Sequence, residues 1–116
     1  MVFLVGKQMS AEEILDNNYE KKGESFLYYL QEKHIFHKDS LRLLCEAIYT
    51  LAEENVYISR RAAKITTVYG NVLKCFLYHF DPNDPYQINN LPDNYNRMIS
   101  QLEKCVNFYF STRISG

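Results

Sequence analysis

The chain has little of the residues that build glycine-rich or rigid catalytic loops. It contains no tryptophan, and only four glycines and three prolines among its 116 residues. The glycines are scattered, so no GxGxxG or P-loop pattern that could cradle a phosphate is present. A GxSxG nucleophile turn is absent as well. We therefore expect a protein without enzymatic activity and without a cofactor.

Cysteine is also scarce, since Cys45, Cys75 and Cys105 are the only three in the sequence. An odd number of cysteines without a CxxC pair argues against a disulfide framework and against a zinc site. Each cysteine falls on the apolar stripe of a predicted helix, whereas a reactive thiol needs an accessible, electropositive setting. We expect three reduced thiols in the core.

Long hydrophobic runs are missing. The longest uninterrupted apolar start, Met1 to Val5, is too short to cross a bilayer, and no small-residue cleavage site follows it. We therefore expect a cytoplasmic protein that makes no membrane contact. Apolar residues make up 47% of the chain, which is enough to fill one core, so the prediction is a single helical domain over residues 1–116. No pattern predicts the structure of Met1 to Met9.

Apolar residues recur every three to four positions, and this spacing predicts helices. Ser10 and Glu13 form a capping box, which predicts a helix beginning at Ala11. Its apolar stripe continues through Gly23, although glycine weakens a helix interior by about 1 kcal/mol. The segment is therefore either one long helix or two shorter ones that meet at Gly23. The stripe consists of Leu15, Tyr19, Lys22, Phe26, Tyr29 and Leu30.

Three further helices are predicted from their caps and stripes. Together with the first segment they give an all-α fold of four to five helices in a compact antiparallel or orthogonal bundle. Gly70, in the predicted helix from Ser59 to Phe80, is expected where another helix approaches closely. The predicted limits are Asp39 or Ser40 to Asn55, Ser59 to Phe80, and Asp93 to Ser111. We number the helix from Ser59 to Phe80 as the third helix of the chain. Its predicted inner face is Ala62, Ile65, Val68, Tyr69, Val72, Leu73, Phe76 and Phe80.

Charge is unevenly distributed along the chain. Residues 1–56 carry six Lys and Arg against ten Asp and Glu, a balance of −4, and residues 57–116 carry seven against four, a balance of +3. The two halves could neutralise each other or could face two different partners. In the second case, an acidic surface on the first two helices would steer a basic partner protein. Its residues would be Glu12, Glu13, Asp16, Glu20, Glu53 and Glu54.

Aromatic residues are abundant, with ten tyrosines and seven phenylalanines. One small core cannot hide every ring, so several should be partly exposed. Tyrosine offers a large rigid contact area with one hydroxyl, which suits a protein-binding surface. The candidates for partial exposure are Tyr28, Tyr49, Tyr57, Tyr78 and Tyr86, of which the first three are expected to anchor a partner.

These features predict a non-enzymatic protein-binding module. The most specific form of this hypothesis is a bacterial immunity or antitoxin-like protein that occludes a basic toxin domain. The alternative is a helix-turn-helix regulator whose third helix begins with Arg60, Arg61 and Lys64, which would contact phosphates and bases. The missing turn glycine and the net charge of −1 weigh against nucleic acid as the partner. The sequence does not predict an oligomeric state.

Histidine does not form a recognisable metal or catalytic pattern. His34 and His37 are three residues apart, but no third ligand follows at a suitable spacing. His79 lies in an aromatic run between Tyr78 and Phe80, which is typical of a packed or surface histidine. We therefore predict neither a metal site nor a general base.

Overall fold

The computed structural model describes residues 9–115, with side chains described for residues 9–111. Every regular element in this part of the chain is helical, so the all-α prediction is confirmed. Of the segment Met1 to Met9, for which no structure is predicted, only Met9 belongs to the described residues. The helices are α1 (Ala11–Glu20), α2 (Phe26–Tyr28, continued by a π-helical turn over Tyr29–Lys33), α3 (Lys38–Glu53), α4 (Ser59–Phe80) and α5 (Tyr95–Ser115).

The chain forms two short helices on either side of Gly23. The predicted capping box at Ser10 and Glu13 is present, with both hydrogen bonds made. At the other end of α1, Lys21 adopts a left-handed conformation (φ 57°), and Gly23 follows with φ 64°. This left-handed backbone is easy for glycine and reverses the chain before α2. The reversal also redirects the predicted stripe, so that Tyr19 and Lys22 are exposed while Leu15, Phe26 and Leu30 are buried.

The predicted caps of the later helices are wrong by one to three residues. Helix α3 begins at Lys38, because Nδ1 of His37 accepts the Ser40 amide at 3.2 Å. The ring of His37 is held for this task by stacking on Tyr29, with the ring centroids 4.1 Å apart. Ser59 is the first residue of α4 rather than its cap. Helix α5 begins two residues after Asp93, and it continues past Ser111.

Helices α1, α3, α4 and α5 form a bundle in which consecutive helices are not always neighbours. Helix α3 packs mainly against α5 and α1, whereas α4 packs against α1 and α5. Cys45 faces Cys105 and Tyr49 stacks on Phe108, so α3 and α5 run in the same direction. Helices α3 and α4 therefore lie diagonally across the bundle although only residues 54–58 join them. None of the described helices has the length and apolar character of a membrane span.

The buried residue Asn18 joins α1 to α2. Its side-chain amide donates to the Ile14 carbonyl at 2.9 Å, and its Oδ1 accepts the Leu27 amide at 3.0 Å. Asn18 is only 1% exposed, so neither group can exchange its partner for water. Buried polar groups satisfied in this way fix the relative position of the two elements that they connect.

Replacing Asn18 by leucine tests this contact. The change leaves the Leu27 amide buried without its acceptor, which should lower the free energy of unfolding by about 1–3 kcal/mol. Urea denaturation followed by circular dichroism measures the loss. The exposed Asn107 on α5 provides the control, since Asn107→Leu should change stability by less than about 0.5 kcal/mol. Equal effects of the two substitutions would contradict the role of Asn18.

The connection between α4 and α5 has no regular structure, as predicted, but it is fixed to the rest of the bundle. The Asn90 side chain accepts the Phe36 amide at 2.7 Å and donates to the Phe36 carbonyl at 3.2 Å. The Asn89 amide donates to the His34 carbonyl at 2.9 Å. Ile88 inserts into the core and is 4% exposed. The loop therefore closes one end of the molecule.

Candidate protein-binding surface

Helix α4 begins with a buried ion-pair network that joins three helices. The guanidinium of Arg61 is 2.6 Å from Oε1 of Glu12 in α1 and 3.0 Å from Oε1 of Glu54, which follows α3. One turn later, Nζ of Lys64 is 2.6 Å from Oδ1 of Asp16. The Arg61 side chain is only 8% exposed, whereas the two glutamates are nearly half exposed. These contacts also show that α1 and α4 run in the same direction.

The network explains why cations stand at the start of α4. Positive charge at a helix N-terminus opposes the macrodipole, so these residues need a compensating partner. Burial disfavours the charged form of Arg61, but the hydrogen bonds to Glu12 and Glu54 outweigh it and raise the pKa of Arg61 above its ordinary value. For these residues the two oppositely charged parts of the sequence neutralise each other.

Half of the predicted acidic residues are engaged in ion pairs with cations of α4. Glu12, Asp16 and Glu54 are paired with Arg61 and Lys64. Of the remaining charged candidates, Glu13 caps α1, Glu20 pairs with Lys22 at 2.9 Å, and Glu53 and Arg60 are exposed.

The predicted tyrosine anchors lie on three different elements. Tyr49 is exposed on α3 and stacks on Phe108, with the ring centroids 5.0 Å apart. Tyr57 is 64% exposed in the connection before α4, whereas Tyr28 is half-buried in α2. Tyr86 donates its hydroxyl to the Leu30 carbonyl, so its polar end is used inside the fold.

The three histidines all have structural partners. His37 caps α3, the ring of His34 lies 4.7 Å from that of Tyr86, and Nδ1 of His79 accepts the Ile88 amide at 2.9 Å. Among the described residues, no three His, Cys, Asp or Glu side chains come together as possible metal ligands. These rings therefore stabilise turns and the α4–α5 connection.

The outer side of α4 carries large apolar residues. We call Gly70, Leu73, Leu77 and Phe80 the α4 outer face. Leu77 is 69% exposed and Phe80 is 56% exposed. The prediction that Leu73 and Phe80 line the inner side is wrong, because the core side of α4 is a narrower sector. That sector holds the buried residues Ala62, Ile65, Val68, Val72 and Cys75.

This side of α4 is also poor in charge. Between residues 63 and 80, Lys74 is the single charged residue among eight exposed positions. The exposed side of α3 provides a contrast, since five of its eight exposed residues are charged. The exposed α4 residues are Ala63, Thr66, Thr67, Leu73, Lys74, Leu77, Tyr78 and Phe80; those of α3 are Lys38, Asp39, Arg42, Leu43, Glu46, Tyr49, Thr50 and Glu53.

Gly70 leaves an open place in the middle of this surface. A Cβ atom added at Gly70 would meet nothing within 4 Å, so the predicted close approach of another helix does not occur within the described chain. Gly70 is helical, and its backbone does not require glycine. Since glycine weakens a helix interior, the fold itself gains nothing from this residue.

Comparison with protein families, curated proteins and solved structures finds no match to this chain.

A pocket lies between α3 and α5. The pocket has a volume of about 370 Å³ and an apolar floor of Leu41, Cys45 and Met98. On its rim, Arg42 pairs with Asp39 at 3.8 Å and with Glu46 at 3.5 Å. Three of the four charged residues of the lining pair with one another, and Lys38 and Gln101 are its other polar residues, so few polar groups are left to select a ligand.

Replacing Arg61 by methionine tests the ion-pair network. The change leaves Glu12 and Glu54 without their cation, and we expect the free energy of unfolding to fall by about 2–3 kcal/mol. This loss is smaller than the usual cost of breaking a buried pair, because both carboxylates reach water. Urea denaturation measures the loss. Arg42 is the matched control, because its side chain is 60% exposed. Arg42→Met should cost less than about 0.5 kcal/mol, and similar losses for both variants would contradict the role of Arg61.

The raised pKa of a buried thiol makes the stability of the fold depend on alkaline pH. Burial, together with the neighbouring Cys105, raises the pKa of Cys45 from 9.0 to about 12. Because the pKa is higher in the folded chain, the contribution to stability is complete below pH 9 and is lost as the pH rises toward 12. Urea denaturation at a series of pH values should therefore show a smaller alkaline loss for Cys45→Ala than for the wild type. The exposed, non-titrating Thr50 on α3 provides the control, and a Cys45→Ala slope equal to that of Thr50→Ala would refute the assignment.

Proposed function

We propose that this chain is a non-enzymatic protein-binding module that contacts its partner through the α4 outer face. The observation that carries the proposal is the exposure of Leu77, flanked by Leu73 and Phe80, on a stretch of helix with a single charge. Depletion of charge together with exposed large apolar side chains is what distinguishes the centre of a protein interface from other surface.

The energetics of these residues support the proposal. A fully buried leucine or phenylalanine stabilises a fold by about 1.5–3 kcal/mol, and an exposed one gives only a small part of this. Leu77 therefore contributes little to the folding of the monomer, whereas Phe80 also contacts the ring of Tyr95, with the centroids 5.7 Å apart. When a partner covers these side chains, their apolar area is removed from water, and this removal favours binding.

A toxin-neutralising role, predicted from the acidic and aromatic surface, remains a specific form of this proposal. Three of the six predicted acidic contacts are held by Arg61 and Lys64, so a basic partner would have to compete with these ion pairs. We therefore assign the main contact to α4 instead. A toxin domain that met this surface would need to present an apolar patch.

The DNA-binding alternative has less support. Arg61 is buried and Lys64 is engaged with Asp16, so Arg60 is the one exposed cation among the three predicted contacts. Duplex binding depends on several cations that reach phosphates together. A helix whose cations point to α1 offers few of these contacts.

Capture of the partner by tagged chain in its native cells tests the proposal. Leu77→Glu places a charge in the middle of the α4 outer face, where desolvating it should reduce the recovered partner at least about tenfold. The partner is quantified by mass spectrometry, and circular dichroism checks that the variant is folded. We expect normal folding because Leu77 lies mostly in water.

Val56→Glu is the control for this experiment, because Val56 is also an exposed apolar residue but lies in the connection between α3 and α4. It should leave partner recovery at the wild-type level. Retention of the partner by Leu77→Glu, or an equal loss with Val56→Glu, would show that the α4 outer face is not the contact surface.

A further inference from the structure

We infer that the partner of the α4 outer face is a second copy of this chain, with the two α4 helices packed antiparallel about a twofold axis between Leu73 and Lys74. The inference rests on the proposed function, because it requires that this face binds protein. It adds the identity of the partner and the direction in which the two helices pack.

The spacing of Gly70 and Leu77 makes the surface complementary to itself. The two residues are seven positions apart, which is close to two helical turns, so they lie on the same side of α4 about 10 Å from each other. A twofold axis midway between them places Leu77 of each copy opposite Gly70 of the other. Leu77 is the most exposed large apolar residue among those described, and the space over Gly70 is open. In a twofold interface, every such contact occurs twice.

The charges at the two ends of α4 favour the antiparallel arrangement. Of the three cations at the start of α4, Arg60 is the one that is exposed, and the exposed Asp81 follows the helix at its other end. Antiparallel packing brings the basic start of one helix close to the acidic residue that follows the other helix, whereas parallel packing would place like charges together. Opposed helix dipoles favour the same direction.

Lys74 is the one charge that opposes close packing. In the antiparallel arrangement it lies opposite Leu73 of the other copy, so the two ammonium groups approach the axis. A lysine can extend its aliphatic stem along an apolar surface and keep the charge in water. This residue limits the affinity without blocking the contact.

The size of the surface indicates a reversible dimer. With the axis between Leu73 and Lys74, residues 67–80 of the two helices face each other over about 21 Å, and a strip about 10 Å wide gives roughly 400 Å² of contact surface for two copies. Stable complexes bury about 1,200–2,000 Å² of accessible surface, and smaller contacts belong to weak or transient complexes. We therefore expect a weak, reversible dimer whose population rises with concentration.

Sedimentation equilibrium of the full chain over micromolar to millimolar concentrations tests the dimer. The wild type and Val56→Glu should shift from monomer to dimer, and Leu77→Glu should stay monomeric. Gly70→Leu should also stay monomeric, because it fills the place into which Leu77 of the other copy would insert. This second variant is safe for the fold, since leucine favours a helix more than glycine and nothing lies within 4 Å.

Cross-linking tests the direction of the helices. Thr66 and Asp81 are equidistant from the proposed axis, so each should lie opposite the other in the partner copy. A mixture of Thr66→Cys and Asp81→Cys chains treated with a short bis-maleimide should give mostly mixed dimers. Predominant linkage between two Thr66→Cys chains would indicate parallel packing and would overturn the arrangement.

The outcomes separate this inference from the proposed function. A wild-type chain that stays monomeric throughout, or a dimer that persists in Leu77→Glu and Gly70→Leu, overturns the second copy as partner. If the chain is monomeric while partner capture still depends on Leu77, the face binds a different protein and the proposed function stands. If neither dimerisation nor capture depends on Leu77, both proposals fail.

Discussion

One buried guanidinium fixes the start of α4 against the rest of the bundle. Because α3 and α4 lie diagonally across the bundle, contacts between their apolar faces do little to set their relative position. Arg61 does so instead, since it joins Glu54 after α3 to Glu12 at the start of α1. At this point the basic second half of the sequence pairs with the acidic first half. The pairing holds the basic start of α4 against the bundle and leaves the opposite side of the helix to solvent.

This arrangement decides which surface is left for a partner. The cations of α4 and half of the predicted acidic contacts are engaged within the chain, so long-range attraction of a charged partner loses its main groups. The side of α4 that faces away from Arg61 carries Leu73, Leu77 and Phe80 and a single lysine. Binding by this side is driven by removal of apolar area from water, and such contacts depend weakly on salt.

Periodicity and caps together predicted the fold class and helices α1, α3, α4 and α5, because each of these helices has a buried stripe. The cap at His37 was missed because it depends on stacking with Tyr29, which no local pattern contains. The ion pair between Arg61 and Glu12 joins residues 49 positions apart and has no sequence signal. The α4 outer face was missed because its leucines were assigned to the core. The scarcity of charge from residue 63 to residue 80 was the signal that could have identified it.

The anchored connection after α4 affects how this surface can act. Tyr86 bonds to the Leu30 carbonyl, Ile88 bonds to His79, and Asn90 bonds to both backbone groups of Phe36. The end of α4 that carries Leu77 and Phe80 is therefore held in place before any partner arrives. A surface that is already ordered loses little conformational entropy on association, so even a small contact area can give measurable affinity.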